Sequence, residues 1–362
     1  MTSSQKPEAP GLRVVAIGGG TGLSTLLRGL KRFVPAPIAS RRASDRLAPT
    51  VRPPESPLAH VVRDLAAIVT VTDDGGSSGR LREDFKMLPP GDVRNCMVAV
   101  SEDEHLLARL FQYRFRQGDL EGHSFGNLFL AALADITGDF AQAVQTSSHI
   151  LAARGRIYPA TNTNVTLAAQ MDNGTVVCGE TSITASPHRI VELRLDPANA
   201  RPLPGALEAI AQADLITLGP GSLYTSLITN MLVRGIPEAI AASPATCVYI
   251  GNLMTQANES LGLTASQHIE KILQHCGPAR GRPLFDYALI NTAPISPTLL
   301  TQYQREGQSP IEPDLDRIRD LGVEPITGSF VHEGNVLRHD YDRLAEAVLS
   351  LPQRRTVAYP LS

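Results

Sequence analysis

The chain has few of the features that mark several protein classes. Its four cysteines, Cys96, Cys178, Cys247 and Cys276, are too far apart for a CxxC pair or a zinc-ligand spacing. They read as reduced residues of the core. No apolar run reaches the roughly 18–20 residues that a membrane span needs. Residues 1–10 are polar and contain no apolar signal segment, so the expectation is a cytoplasmic protein without membrane insertion. Lysine and arginine form no long block and the formal net charge is −3, which argues against a nucleic-acid-binding surface. Anionic small ligands stay open, because backbone amides and a few arginines can hold phosphates.

What is abundant is the glycine-rich turn. Five stand out: residues 18–22 (GGGTG), 73–79 (DDGGSSG), 89–92 (PPGD), 123–127 (HSFGN) and 219–222 (GPGS). Each reads as following an apolar, strand-like run. One such turn is weak evidence. Several in one chain suggest a crevice lined with backbone N–H groups, as phosphate recognition requires.

The 362 residues are 43% hydrophobic, ample for a buried core. Residues 13–17 read as a strand and 21–33 as a helix, with Leu23, Leu26, Leu27 and Leu30 on one face. Residues 66–72 read as a buried strand. Helices are expected over 92–99, 103–115, 127–134 and 140–151. Period-2 segments flank Asn173-Gly174, a strong hairpin signal, so residues 156–196 read as a small antiparallel excursion. Strands at 213–218, 246–252 and 286–291 then alternate with helices at 222–233, 264–276 and 341–350. Ser266 is a candidate start for the helix at 264–276. This rhythm predicts an α/β fold with a mainly parallel sheet covered on both faces. Residues 13–350 read as a single domain. A flexible N-terminus (1–12), a proline- and arginine-rich mobile loop insertion (34–57) and a C-terminal tail (351–362) complete the chain.

In such sheets ligands bind outside the carboxyl ends of the strands. Gly19, Gly20, Thr21 and Gly22 sit between strand and helix, where a phosphate meets free N–H groups and the positive end of the helix dipole. The turn departs from the NAD fingerprint: the third glycine position falls on Leu23, and no acidic residue follows a second strand about 20 residues on. No Gly-Lys-Ser/Thr follows it, so it is not a Walker A loop. Asp73 and Asp74 end a strand and precede Gly76, Ser77 and Ser78. One carboxylate could hold Mg²⁺ beside a diphosphate while the other caps a helix or orients a ribose. Asp92 is a natural N-cap, with Asn95 in the turn that follows. Ser124 and Asn127 form a similar turn-to-helix unit, beside a lone His123 that reads as a structural or surface residue. Gly219, Gly221 and Ser222 make another strand–turn–helix unit, with Ser222 placed as an N-cap or phosphate ligand. These residues form no nucleophile–base–orienter set that is visible in sequence.

Read together, GGGTG, TVTDDGGSSGRLR, PPGDVRNC, GHSFGNL, ATNTNVTL, LGPGSLYTS and NLMTQ…TASQH closely resemble the YvcK family of gluconeogenesis factors. That family is related to CofD, the 2-phospho-L-lactate transferase of deazaflavin-cofactor biosynthesis. The resemblance runs from about residue 14 to residue 338. It implies a Rossmann-like three-layer fold, a UDP-sugar ligand such as UDP-N-acetylglucosamine, and a role in cell shape and envelope synthesis during gluconeogenic growth. It adds Asn252 and Thr255 of NLMTQ, and Arg338 of VLRH, to the expected ligand-binding residues. A dinucleotide such as NAD is an alternative ligand, and a CofD-type, Mg²⁺-dependent transfer of a 2-phospholactate-like group from a nucleotide diphosphate is an alternative function. The resemblance also leaves room for a homo-oligomer and a regulatory protein partner. One departure stands out: Leu263 replaces a tyrosine that the family associates with nucleotide-sugar binding, removing its ring face and hydroxyl.

Overall fold

The structure, a computed structural model, describes residues 11–35, 62–102, 106–276 and 284–353. The expected N-terminal segment (1–12), loop insertion (34–57) and tail (351–362) lie largely outside these residues.

Seven parallel strands form the central sheet: β1 (Leu12–Gly18), β2 (Val62–Val69), β3 (Arg156–Pro159), β7 (Leu215–Leu218), β8 (Thr246–Ile250), β9 (Tyr287–Asn291) and β10 (Glu324–Gly328). Between β3 and β7 the chain makes a separate three-stranded antiparallel sheet from β4 (Thr166–Met171), β5 (Val176–Cys178) and β6 (Ile190–Asp196). A last pair, β11 (Val331–Glu333) and β12 (Leu337–His339), follows β10.

Period 2 on β1 explains why both faces of the sheet are covered. Val14 and Ala16 face one core cluster, with Leu23, Leu26, Leu27 and Leu30 of helix α1 (Gly20–Lys31). Val15 and Ile17 face the other, with Leu223 and Leu227. Each of the four α1 leucines is fully buried and worth about 1.5–3 kcal/mol on transfer from water. That face, rather than helix propensity, docks α1 on the sheet.

The strand order is β10-β9-β8-β7-β1-β2-β3. The chain builds outward from β1 in one direction and from β7 in the other, so the topological switch point lies between β1 and β7. Val14 pairs with Leu215 and Ile17 with Leu218. At the opposite end of these strands, Arg13 holds Asp214 through its backbone N–H and its guanidinium, at 2.8–3.1 Å.

Five further helices precede β3: α2 (Gly76–Phe85), α3 (Gly91–Val100), α4 (Leu106–Gln112), α5 (Phe125–Thr137) and α6 (Phe140–Ile150). Here several expectations are corrected. The helix expected over 103–115 is only α4 within the described residues, and Arg114 beyond it forms a β-bridge with Ser124. The turns at 89–92 and 123–127 follow helices and loops, not strands. Residues 156–159 belong to the parallel sheet through β2; four residues are too few to display a period, and three of them are buried. The excursion is therefore 166–196 and three-stranded, although the Asn173-Gly174 turn stands where expected, with Gly174 at φ +81°. The helix expected at 222–233 is a π-helix, Leu223–Ile228, followed by a short α segment, Thr229–Met231. Thr264, not Ser266, caps the helix Ala265–His275, in a reciprocal capping box with Gln267. Cys96 and Cys247 are buried, but Cys276 is half-buried and Cys178 exposed, so not all four cysteines are core residues.

Candidate functional site

A crevice of about 380 Å³ opens at the switch point, outside the carboxyl ends of β1, β7 and β8. Its walls are the two strand–turn–helix units. The turn after β1 supplies Gly19, Gly20, Thr21 and Gly22, and the turn after β7 supplies Gly221 and Ser222. Asn252 and Thr255 follow β8, and Arg338 reaches in from β12. The sheet thus brings together nine of the expected ligand-binding residues.

The two turns touch. A Cβ on Gly22 would stand 2.4 Å from the Pro220 carbonyl oxygen and 3.0 Å from Gly221 N. Gly20 has φ +59°, which side chains other than glycine rarely adopt. Helix α1 begins with no side-chain cap bond from Gly19 and no acidic residue in its own first turn, so its dipole end faces the crevice with one N–H, that of Gly20, taken by Asp92. No carboxylate lines the crevice among the described residues. Arg338 is exposed, without a hydrogen bond or ion pair among the described residues. His339 is neutral at pH 7, because burial pushes it down to about 4; its ring Nε2 lies 3.1 Å from the Gly251 carbonyl. The lining therefore carries a net positive charge.

The second turn differs from its expected role. Ser222 does not cap the following helix; its hydroxyl accepts from Gln256 Nε2 at 2.9 Å. The cap is Glu259, whose buried Oε1 accepts from the Tyr224 and Thr225 N–H groups at 3.0 and 2.9 Å. Burial raises the pKa of Glu259, and those same bonds oppose the rise. Gly221 N–H donates to Asn252 Oδ1 at 3.3 Å. Gln256 Oε1 is buried in the crevice wall and has no partner among the described residues.

The remaining candidates form an adjoining polar cluster rather than lining the crevice. Asp92 joins the two. It is not an N-cap: α3 starts at Gly91, and the Asp92 carboxylate lies beneath the first turn, where it accepts from Gly20 N–H. Burial first, then Asp73, push Asp92 up to about 7, against the pull of that N–H and of Arg94. Glu180, in the helix Glu180–Ala185 of the excursion, is pushed up to about 9 by burial and by Asp92, Asp73, Glu259 and Asp74. Ser77 Oγ accepts from Asn127 Nδ2 (3.2 Å) and Ser124 N–H (3.4 Å). Its own proton therefore goes to His123 Nδ1 at 3.1 Å, which fixes the neutral tautomer with hydrogen on Nε2. His123 is buried, as a structural histidine would be. Arg94 bonds Ser124, Asn127 and Asn95, while its buried Nε has no partner among the described residues. Gly219 belongs to the strand end, its N–H bonded to the Ile17 carbonyl. Gly76 opens α2 with φ +50°, and Ser78 lies against Gly91.

The two adjacent aspartates diverge. Asp73 Oδ1 accepts from Gly75 N–H at 2.9 Å, closing an Asx turn. Asp74 Oδ1 accepts from Thr181 N–H (2.9 Å) and Oγ1 (2.6 Å), tying the excursion to the segment after β2, which ends at Val69 and not at the aspartates. No group of three or more His, Cys, Asp or Glu with a metal-holding arrangement occurs among the described residues. Mg²⁺ does not need one, because it takes one or two carboxylates together with phosphate oxygens and water. Asp73, whose second oxygen faces Gly91 and Ser78, fits that role better than Asp74.

Leu263 lines a different cavity, with Tyr224, Glu259, Gln267 and Lys271. Sequence reasoning missed the placement of Asp92 and Glu259. Gln256 lies within the NLMTQ motif and could have been picked from it. No helix among the described residues is long and apolar enough to cross a membrane.

Residues 14–331 match the family described as 2-phospho-L-lactate transferase CofD. A gluconeogenesis factor of Halalkalibacterium halodurans is 46% identical over 338 residues, covering 93% of this chain and 95% of that protein. The gluconeogenesis factor of Bacillus subtilis is 42% identical over 349 residues, covering 96% and 98%. A crystal structure of a UPF0052-family protein from Bacillus halodurans superposes with a TM-score of 0.83 at 45% identity, covering 94% of this chain and all of that one. The α/β fold, the order of the motifs and these relatives agree: the chain belongs to the CofD family, within its branch of gluconeogenesis factors (YvcK/UPF0052).

Proposed function

We propose that this gluconeogenesis factor is a regulatory binding protein whose crevice takes a UDP-sugar such as UDP-N-acetylglucosamine. The observation that carries this reading is the meeting of two glycine turns at the switch point, around a lining with one cationic side chain and no carboxylate. A diphosphate would lie against the start of α1, where backbone N–H groups and the helix dipole favour negative charge. Arg338 would supply a charge-assisted bond. The unpartnered Gln256 Oε1 is an acceptor suited to an N–H or hydroxyl of a base or sugar. Asp73 would hold Mg²⁺ beside the diphosphate, where the cation supplies charge neutralisation. Asp92 would fix the Gly20 turn from below. Calorimetric titration with UDP-N-acetylglucosamine, UDP and NAD, with and without Mg²⁺, tests this. Saturable binding of the UDP-sugar is expected; binding of NAD alone would replace the ligand.

A second reading is a CofD-type transferase. It is favoured by the family match and by the carboxylates Asp73, Asp92 and Glu180 beside the crevice, where an acceptor hydroxyl could lose its proton. The two readings differ in turnover. Nucleotide consumed in the presence of Mg²⁺ and an acceptor would favour the transferase; a nucleotide bound and recovered intact favours the sensor.

A further inference from the structure

We propose a second anion site, separate from the crevice, in the cavity between the C-terminal ends of α1 and α3 and helix α4. The cavity has a volume of about 560 Å³ and is lined by Arg28, Lys31, Arg32, Arg109 and Arg154, with Glu102 the one carboxylate among its described lining residues. Five cations on one concave surface stand out in a chain of net charge −3.

Three of the five are already engaged. Arg32 pairs with Asp342, and Arg154 with Glu102 at 2.7 Å. The buried Lys31 ammonium donates to the Ser101 carbonyl at 3.0 Å. Arg28 and Arg109 are exposed and make no hydrogen bond or ion pair among the described residues. Each lies in the last turn of its helix, where a cation complements the dipole. That accounts for one cation at each helix end. It does not account for two helix ends delivering unpaired guanidiniums to one cavity.

The chemistry fits a diphosphate. A guanidinium recognises phosphate oxygens bidentately, and two of them from different helices can grip the two ends of one small polyanion. The volume lies within the range of small-ligand sites, roughly 300–1,000 Å³. The diphosphate could be free or carried by an organic metabolite.

The experiment is calorimetric titration of the full chain with pyrophosphate at low ionic strength. Wild type, Arg28→Ala/Arg109→Ala and Arg338→Ala are compared, with Arg28→Gln/Arg109→Gln as the milder pair should the first fold poorly. Loss of both guanidiniums should weaken pyrophosphate binding at least about tenfold. Arg338→Ala, which acts on the crevice, should leave the arginine-pair share of that binding in place. Hydrogen exchange should slow at residues 28–32 and 106–112 when pyrophosphate is added. UDP as a second probe separates the sources: competition with pyrophosphate at the arginine pair means that a carried diphosphate is accepted, and absence of competition means that the site takes the free anion. No binding to wild type at any site but the crevice, or equal affinity in wild type and the arginine-pair variants, would overturn the proposal.

Discussion

Replacing Gly22 by alanine tests whether the two glycine turns form one site. The added Cβ would lie 2.4 Å from the Pro220 oxygen, 2.7 Å from the Pro220 carbonyl carbon and 3.0 Å from Gly221 N. All three are backbone atoms, so no side chain can swing aside, and relief needs the turns to separate by about 1 Å to reach ordinary contact. Overpacking of this kind costs about 1–3 kcal/mol. For a chain of this length that is roughly a 1–4 °C fall in melting temperature, scaling the specific unfolding entropy with size. Spreading the turns also moves Gly221 and Ser222 away from the start of α1, so ligand affinity should fall at least about tenfold, or 1.4 kcal/mol. The control is in the same turn. A Cβ on Gly18 would meet nothing closer than 3.5 Å, so Gly18→Ala should lie within about 1 kcal/mol of wild type and keep its affinity. Thermal melts and calorimetry on both variants give the answer. Equal behaviour of the two would refute the argument that turn-to-turn contact shapes the crevice.

Two other predictions concern stability. Asp92, facing Asp73, Arg94 and the Gly20 N–H, and Glu180, facing Asp92, Asp73, Glu259 and Asp74, are both raised above their ordinary values, to about 7 and about 9. The fold therefore favours their protonated forms, and the stability they contribute is lost as pH rises through those values. Melting temperature should begin to fall above the ordinary carboxylate range, about pH 4, and keep falling until the values of about 7 for Asp92 and about 9 for Glu180 are passed. Asp92→Asn should flatten the earlier part of the fall, and Mg²⁺ should offset it; a flat wild-type profile would contradict the assignment. Asp314 behaves oppositely. Burial alone would raise it, but bonds from Ser266 Oγ, Thr264 Oγ1 and Ser266 N–H outweigh that and lower it. Its contribution is present at neutral pH and lost under acid, and Asp314→Ala should cost about 1–3 kcal/mol in urea unfolding at pH 7, shrinking towards pH 3.

Much of this fold can be read locally. Leu23, Leu26, Leu27 and Leu30 announce α1, and Asn173-Gly174 announces the β4–β5 turn, because helix period and turn chemistry are written in neighbouring residues. β3 escapes, since four residues show no period and its pairing with β2 is long-range. Which turns share a crevice escapes for a related reason. Gly19–Gly22 and Gly221–Ser222 meet only because β7 pairs with β1, and no local pattern encodes strand order. Asp92 reads as an N-cap from its Pro-Pro-Gly prefix, yet the helix starts one residue earlier and turns the carboxylate under Gly20. The π-helix at Leu223–Ile228 goes with a carboxylate 34–35 residues away, Glu259, which holds the N–H groups that a local cap would have taken.

A UDP-sugar in the switch-point crevice would have Arg338 as its cationic contact. Arg338 is exposed and carries no structural bond among the described residues, so Arg338→Ala should leave the melting temperature of the free protein unchanged. The most direct measurement is therefore calorimetric titration of UDP-N-acetylglucosamine into wild type and Arg338→Ala side by side. Saturable binding to wild type and an affinity at least about tenfold weaker in the variant are expected. Absence of binding to wild type, or the same affinity in both proteins, would contradict this placement of the ligand.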